Sequence, residues 1–250
     1  MGYQHACVSR NDLSSFCDKT DTVRTDNLSA LPLPDVLACN GEYLYSLLSE
    51  SGFPGLTQVE SVRYLYMDEM LSSQITPRTG RPVLLIAGAY DRSETRALVS
   101  LVYAAFPKAD RFDIWFKGHP SMPVEEIFEE LAIDVAKTGY AICRDNISEY
   151  LGQAWAMLVS TSTVSIEALA FGCEVIIPFF PDTMLINPLA DCEKYYHKVT
   201  CAEDLRETMG KIMEGHSLGG IDEYRQFIDS YWNIDSKLPR WTNLLNLSGT

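Results

Sequence analysis

Paired cysteines are missing from this sequence. Its seven cysteines (Cys7, Cys17, Cys39, Cys143, Cys173, Cys192 and Cys201) fall singly, with no C-x-x-C pair and an odd total. That excludes a disulfide-stapled scaffold and fits reduced, mostly buried thiols. The four histidines (His5, His119, His197 and His216) do not join them at ligand spacing, so neither a zinc site nor any other metal or cofactor is expected. Basic charge is scarce: 20 Lys plus Arg stand against 34 Asp plus Glu, a net charge of −14. Such a chain repels phosphate backbones, which disfavours nucleic acid as a partner but leaves room for a small basic pocket holding one nucleotide. No stretch approaches the ~18–20 uninterrupted apolar residues of a membrane span. The start, MGYQHACVSRND, lacks the basic opening and apolar run of a signal peptide. A cytoplasmic protein is expected, and the three N-x-Ser sequons at Asn27, Asn146 and Asn246 read as chance.

What is present is apolar material for a sizeable core, 46% of 250 residues. Residues 2–9 read as a short strand, and 10–34 as a long polar loop ending in LPLP. A strand over 35–40, a helix over 41–52 and a strand over 57–65 follow. Residues 67–81 carry Pro77 and Gly80 close together and read as a linker. From residue 82 the alternation is regular. Strands are expected over 82–88, 111–120, 140–145, 155–160 and 174–180, with helices over 93–106, 124–136, 147–154 and 163–172. A last strand near 195–200 precedes helices over 202–214 and about 220–232. Apolar runs of this length separated by helices predict an α/β fold with a Rossmann-like parallel sheet flanked by helices.

In such sheets ligands sit beyond the carboxyl ends of the strands. Three strand ends carry suitable residues. Gly88 through Ser93, with Tyr90, forms a turn of small residues that could admit a phosphate, or could be a simple turn. Lys117-Gly118-His119-Pro120 places a point charge and a directed donor on either side of a glycine. The alternative is a surface lysine and a histidine tucked against a helix end. Ser160-Thr161-Ser162-Thr163 puts four hydroxyls between a strand and a helix start, more than capping alone requires. Glu167, one turn further, could accept from ribose hydroxyls or simply face solvent. Together they predict a phosphate-plus-sugar site.

Lys-x-His-Pro after one strand, then a Ser/Thr-rich turn opening a helix with Glu and Ala, resembles the donor-binding half of bacterial GT-B glycosyltransferases. The nearest likeness is to polysialyltransferase-like and Kdo-transferase-like enzymes of capsule and lipopolysaccharide synthesis. CDP-glycerol phosphotransferases share a similar His-Pro pattern. The resemblance implies that Lys117 and His119 bind donor phosphate or cytidine, that Ser162 and Thr163 bind phosphate, and that Glu167 binds the nucleotide ribose. Ser160, Thr161, Gly88 and Tyr90 complete the expected donor site. It further implies a CMP-activated sugar such as CMP-Kdo or CMP-sialic acid as donor and a glycan or glycolipid as acceptor, with peripheral association at the inner membrane or in a complex.

Gly2-Tyr3-Gln4-His5-Ala6, Pro34-Asp35 to Asn40-Gly41 with Val62-Arg63-Tyr64, and the tail Tyr231-Trp232 to Trp241 also resemble such enzymes. The implied layout is a trailing part of an acceptor-side domain over 1–66, a linker over 67–81, a donor-binding domain over 82–215 and return helices over 216–250. Only the last pieces of the N-terminal domain are then present, as in a truncated or split enzyme, and His5 is the one catalytic candidate. Two other readings stay open: a non-catalytic nucleotide-binding or partner module, and a nucleotide-sugar epimerase on the same GT-B architecture.

Overall fold

The computed structural model describes residues 1–4, 6–12, 15–18, 33–53, 55–72, 78–181 and 183–246. The chain divides into two compact units, Met1–Gln74 with Arg225–Thr250, and Ile75–Tyr224. The first begins with three parallel strands, β1 (Gly2–Gln4), β2 (Leu37–Asn40) and β3 (Leu56–Val59), in the order β1-β2-β3. Helix α1 (Gly41–Ser49) joins β2 to β3 and buries Leu44, Leu47 and Leu48. These leucines pack with Val8, Leu37 and Cys39. Gly41 has φ +69°, and a Cβ there would lie 1.9 Å from the Tyr231 carbonyl oxygen, so both conformation and space demand glycine.

The strand expected over 57–65 stops at Val59. Glu60 is fully buried, and its carboxylate accepts the backbone N–H groups of Arg240 and Trp241 at 3.1 and 3.2 Å. The Ser61 N–H donates to the Trp232 carbonyl at 3.0 Å. These partners draw the chain out of the sheet into a 3-10 turn over Val62–Tyr64. Helix α2 (Met67–Ser72) then occupies the start of the segment expected as a linker.

The second unit holds six parallel strands: β4 (Val83–Ala87), β5 (Asp113–Lys117), β6 (Ala141–Ile142), β7 (Ala156–Val159), β8 (Glu174–Pro178) and β9 (His197–Val199). Their order is β6-β5-β4-β7-β8-β9. Numbered within the unit this is 3-2-1-4-5-6, the Rossmann order, with its topological switch between β4 and β7. Strands β4, β7 and β8 are buried at every position, which is why they read as unbroken apolar runs. Ala87 stands opposite both Lys117 and Val159. Three central strands therefore end level with one another, and the loops after them leave from one edge.

The connecting helices are α3 (Arg92–Ala105), α4 (Val124–Glu130), α5 (Val135–Thr138), α6 (Ile147–Leu151), α7 (Val164–Ala170) and α8 (Ala202–Met213). Asp91 caps α3 by accepting the Glu94 N–H at 3.0 Å, and Leu98, Val99 and Val102 face the core. The single helix expected over 124–136 is two pieces. Ala132 takes a left-handed φ of 52°, Ile133 turns into the core, and Asp134 caps α5 by accepting the Ala136 N–H.

Helix α9 (Ile221–Trp232) leads back to the first unit, where α10 (Pro239–Leu244) ends the described chain. Trp232 stacks on Tyr64 with ring centroids 3.8 Å apart. Among the described residues no helix is long and apolar enough to cross a membrane.

Candidate functional site

The level strand ends of the second unit border a pocket of about 670 Å³, lined by Gly88, Lys117, His119, Arg144, Asn146 and Ser162 among others. That size suits a small organic ligand. The glycines between its walls are set by packing. Gly88 donates its N–H to the Lys117 carbonyl at 2.9 Å. At Gly118 an added Cβ would lie 2.9 Å from the Val124 nitrogen and 3.1 Å from the Met122 carbonyl. Only glycine lets residues 120–124 fold back so tightly, and that fold turns His119 toward the pocket.

Lys117 is half-buried. Its neighbour Cys143 is pushed up to about 11 by burial, against the pull of the Lys117 charge. The thiol is therefore neutral near pH 7 and adds no negative charge beside the ammonium. At His119, Nδ1 accepts the Ser121 N–H at 3.1 Å. A neutral ring then carries its proton on Nε2, the nitrogen left for a ligand. Tyr90 is 74% exposed and meets the His119 ring edge-on, centroids 5.5 Å apart. It packs against the imidazole without itself lining the pocket.

The hydroxyl turn divides its labour. Ser160 and Thr161 donate to the same Glu94 carboxylate oxygen at 2.9 and 2.8 Å, while the Ser160 carbonyl accepts from the Asn187 side-chain amide. These two hydroxyls therefore point toward Glu94, which sits on the first turn of α3. Ser162 lines the pocket. The first N–H groups of α7 are already used: Val164 donates to the Ser162 hydroxyl oxygen at 3.4 Å, Ser165 to the Ser162 carbonyl at 3.2 Å and Ile166 to that of Thr163 at 3.1 Å. Thr163, at the N-cap, makes no capping bond with its side chain. This turn therefore offers a ligand side-chain hydroxyls rather than a row of open amides. Glu167 is half-buried on α7, outside the pocket lining. His5 lies outside the described residues.

The structure adds a wall that the strand-end reading left out. Arg144, Asp145, Asn146 and Glu149 follow β6 and line the pocket. Tyr150 shapes this loop: its hydroxyl accepts the N–H groups of Arg144 and Asp145, both at 3.2 Å, and donates to the Asp145 carboxylate at 3.0 Å. Asn146 caps α6 without using its side chain, so its amide can serve a ligand. The signal available was Arg-Asp-Asn at a fourth carboxyl strand end, directly before a helix. Among the described residues no group of three His, Cys, Asp or Glu is placed to hold a metal ion.

No protein-family model matches the chain. A search of curated proteins gives no significant match either. Solved structures do resemble it. MnaA of S. aureus, in a structure with UDP, is 13% identical over 86% of this chain and 62% of its own, with a TM-score of 0.56. A variant of S. aureus TarM, in complex with fondaparinux, α-GlcNAc-glycerol and UDP, is 10% identical over 85% of this chain and 44% of its own, at 0.54. The UDP-GlcNAc 2-epimerase of Methanocaldococcus jannaschii, with UDP-GlcNAc and UDP, is 15% identical over 78% of this chain and 60% of its own, at 0.50. The chain thus spans about three fifths of the length of the MnaA and epimerase structures. At these identities the likeness is one of fold, and the chain has the Rossmann-like α/β fold of the GT-B type.

Proposed function

We propose that the second unit binds the nucleotide phosphate of a nucleotide-sugar, and that the protein takes part in glycosyl transfer during bacterial surface-glycan synthesis. The observation that carries this reading is the convergence of Lys117, the His119 Nε2–H and the Ser162 hydroxyl on one pocket at the carboxyl strand ends. An ammonium, an imidazole donor and a hydroxyl suit a phosphate group. In transfer they would offset the charge that develops on the departing phosphate, and preorganised donors of this kind each contribute about 10²–10³ in rate. The wall after β6 lies on the far side of Lys117, and there the Asn146 amide, donor and acceptor together, suits the edge of a base. Glu94, Ser160 and Thr161 lie on the other side of Ser162, toward which the sugar would extend.

The donor is a pyrimidine nucleotide-sugar. CMP-sugars follow from the Lys-x-His-Pro resemblance, while UDP is the nucleotide bound in the three similar structures. UDP ranks first on that ground. The likeness to a UDP-GlcNAc 2-epimerase supports a second reading, inversion of a sugar carbon within the same bound nucleotide-sugar. Calorimetric titration of the whole chain with UDP, CDP and CMP tests the binding reading. Saturable binding of one or more is expected; binding of none of the three overturns it. Adding UDP-GlcNAc and following the sugar by proton NMR then separates epimerisation from transfer.

A further inference from the structure

A second and much smaller opening lies beside the nucleotide pocket, lined by Glu94, Ser160, Thr161, Phe180, Met184 and Leu185 among others. Its volume of about 20 Å³ is room for one water-sized group and no more. Thr161 lines this slot, and the next residue, Ser162, lines the pocket. Their Cα atoms are about 3.8 Å apart across the peptide, so a sugar carried on a phosphate at Ser162 lies within reach of the slot.

The polar wall of the slot is a carboxylate with half its capacity spent. Glu94 is half-buried on the first turn of α3. Its Oε2 accepts the hydroxyls of Ser160 and Thr161 at 2.9 and 2.8 Å. Its Oε1 has no partner among the described residues. The cations of the same helix are engaged elsewhere: Arg92 with Glu126 and Glu130, and Arg96 with Glu130. On β9, Lys198 lies over the Phe179 ring at 3.9 Å. Glu94 itself has no ion pair among the described residues.

The rest of the slot is largely apolar and is fixed to the same turn. Phe180 packs against the core, Leu185 is half-buried, and Met184 is exposed at the rim. Thr183, which also lines the slot, donates its hydroxyl to the Pro181 carbonyl at 3.5 Å. Asn187 is fully buried. Its amide donates to the Ser160 carbonyl, and its oxygen accepts the Leu189 N–H at 2.8 Å and the Ser165 hydroxyl at 3.3 Å. The loop after β8 is thereby tied to the residues that hold Glu94. A slot of this size with one free anionic acceptor suits a hydroxyl donor. A carboxylate is too large for it and meets like charge.

We propose that the slot admits one hydroxyl of a neutral donor sugar, which donates to Glu94 Oε1, and that the Glu94 charge turns away sugars bearing a carboxylate. This rests on the nucleotide reading above and narrows it. It selects against the acidic sugars of CMP-activated donors that the Lys-x-His-Pro resemblance implies, and for a neutral hexose. Repulsion between charges acts over about 8 Å at physiological salt, so a carboxylate need not enter the slot to be felt.

The test is calorimetric titration of the full chain with two donors that differ only at the sugar C6, UDP-glucose and UDP-glucuronic acid, with UDP as the reference. UDP-glucose is expected to bind about tenfold more tightly than UDP-glucuronic acid, the effect of one charge-assisted hydrogen bond. Glu94→Gln keeps an oxygen for Ser160 and Thr161 but carries no charge. It should hold the melting temperature and bring the two donors within about twofold of each other. In the unaltered chain, where no variant can confound the result, CMP-sialic acid should bind no more tightly than CMP. Binding of neither UDP nor CMP overturns the nucleotide reading and this proposal with it. Where UDP binds, equal or tighter binding of UDP-glucuronic acid overturns this proposal alone, as does a preference that Glu94→Gln leaves unchanged. Tighter binding of CMP-sialic acid than of CMP does the same.

Discussion

The two ends of the six-stranded sheet treat polar groups in opposite ways. At the amino end Glu174, the first residue of β8, is buried, and every group around it is partnered. Its carboxylate is hydrogen-bonded to His197 Nε2 at 2.9 Å, and accepts from the Ser217 hydroxyl, the Leu218 N–H at 3.3 Å and the Tyr224 hydroxyl at 3.3 Å. At the carboxyl end Lys117 and Ser162 line an open pocket together with the proton-bearing nitrogen of His119. A saturated network fixes residues 217–224 against the sheet. An open one leaves its donors to solvent until a ligand takes them. The sheet is thus closed for structure at one end and open for a ligand at the other.

The sharpest way to break this contrast is to cut the closed end. Glu174→Ala leaves four donors without their acceptor, and loss of one partner from a buried charged network costs about 3 kcal/mol. A urea titration should show that loss, with nucleotide affinity in the folded protein unchanged. Next comes the open end. His119→Ala removes one donor to a charged group, worth about 2 kcal/mol, or about 30-fold in nucleotide affinity. Calorimetry should register it while the melting temperature stays within a degree or two.

A third, smaller effect is pH dependence. Burial pushes the Glu174 carboxyl up, but hydrogen bonds from His197, Ser217 and the Leu218 N–H outweigh it and hold it below the usual glutamate value of 4.5. A folded-state value below the unfolded one means the carboxylate contributes in full above pH 4.5. That contribution is lost as the pH falls through the depressed folded value. Glu174→Gln should flatten this part of the stability-against-pH curve. The smallest effect expected is Asn146→Ala, with about 0.5–1 kcal/mol of nucleotide affinity and no change in unfolding.

The same contrast explains what the sequence made legible. Val83–Ala87 and Glu174–Pro178 announce themselves as central strands because both faces are covered, and the ends of such strands can be located without coordinates. Lys117, His119 and Ser162 follow from those ends. The wall of Arg144 to Glu149 does not, because β6 is only two residues long and gives no periodicity to anchor its terminus. Nor does the pairing of Glu94 with Ser160 and Thr161, which spans 66 and 67 residues. Helix α10 is hidden for a similar reason: six residues opening on proline depend on Glu60, 180 residues away. The break at Ala132 is set by the burial of Ile133, which local propensity does not encode.

The most direct measurement is amide hydrogen exchange of the whole chain with and without saturating UDP. Slowed exchange is expected over residues 117–122, 144–149 and 161–166, and none over 174, 197 and 217–224. Protection confined to the amino end, or no protection at either end, would contradict it.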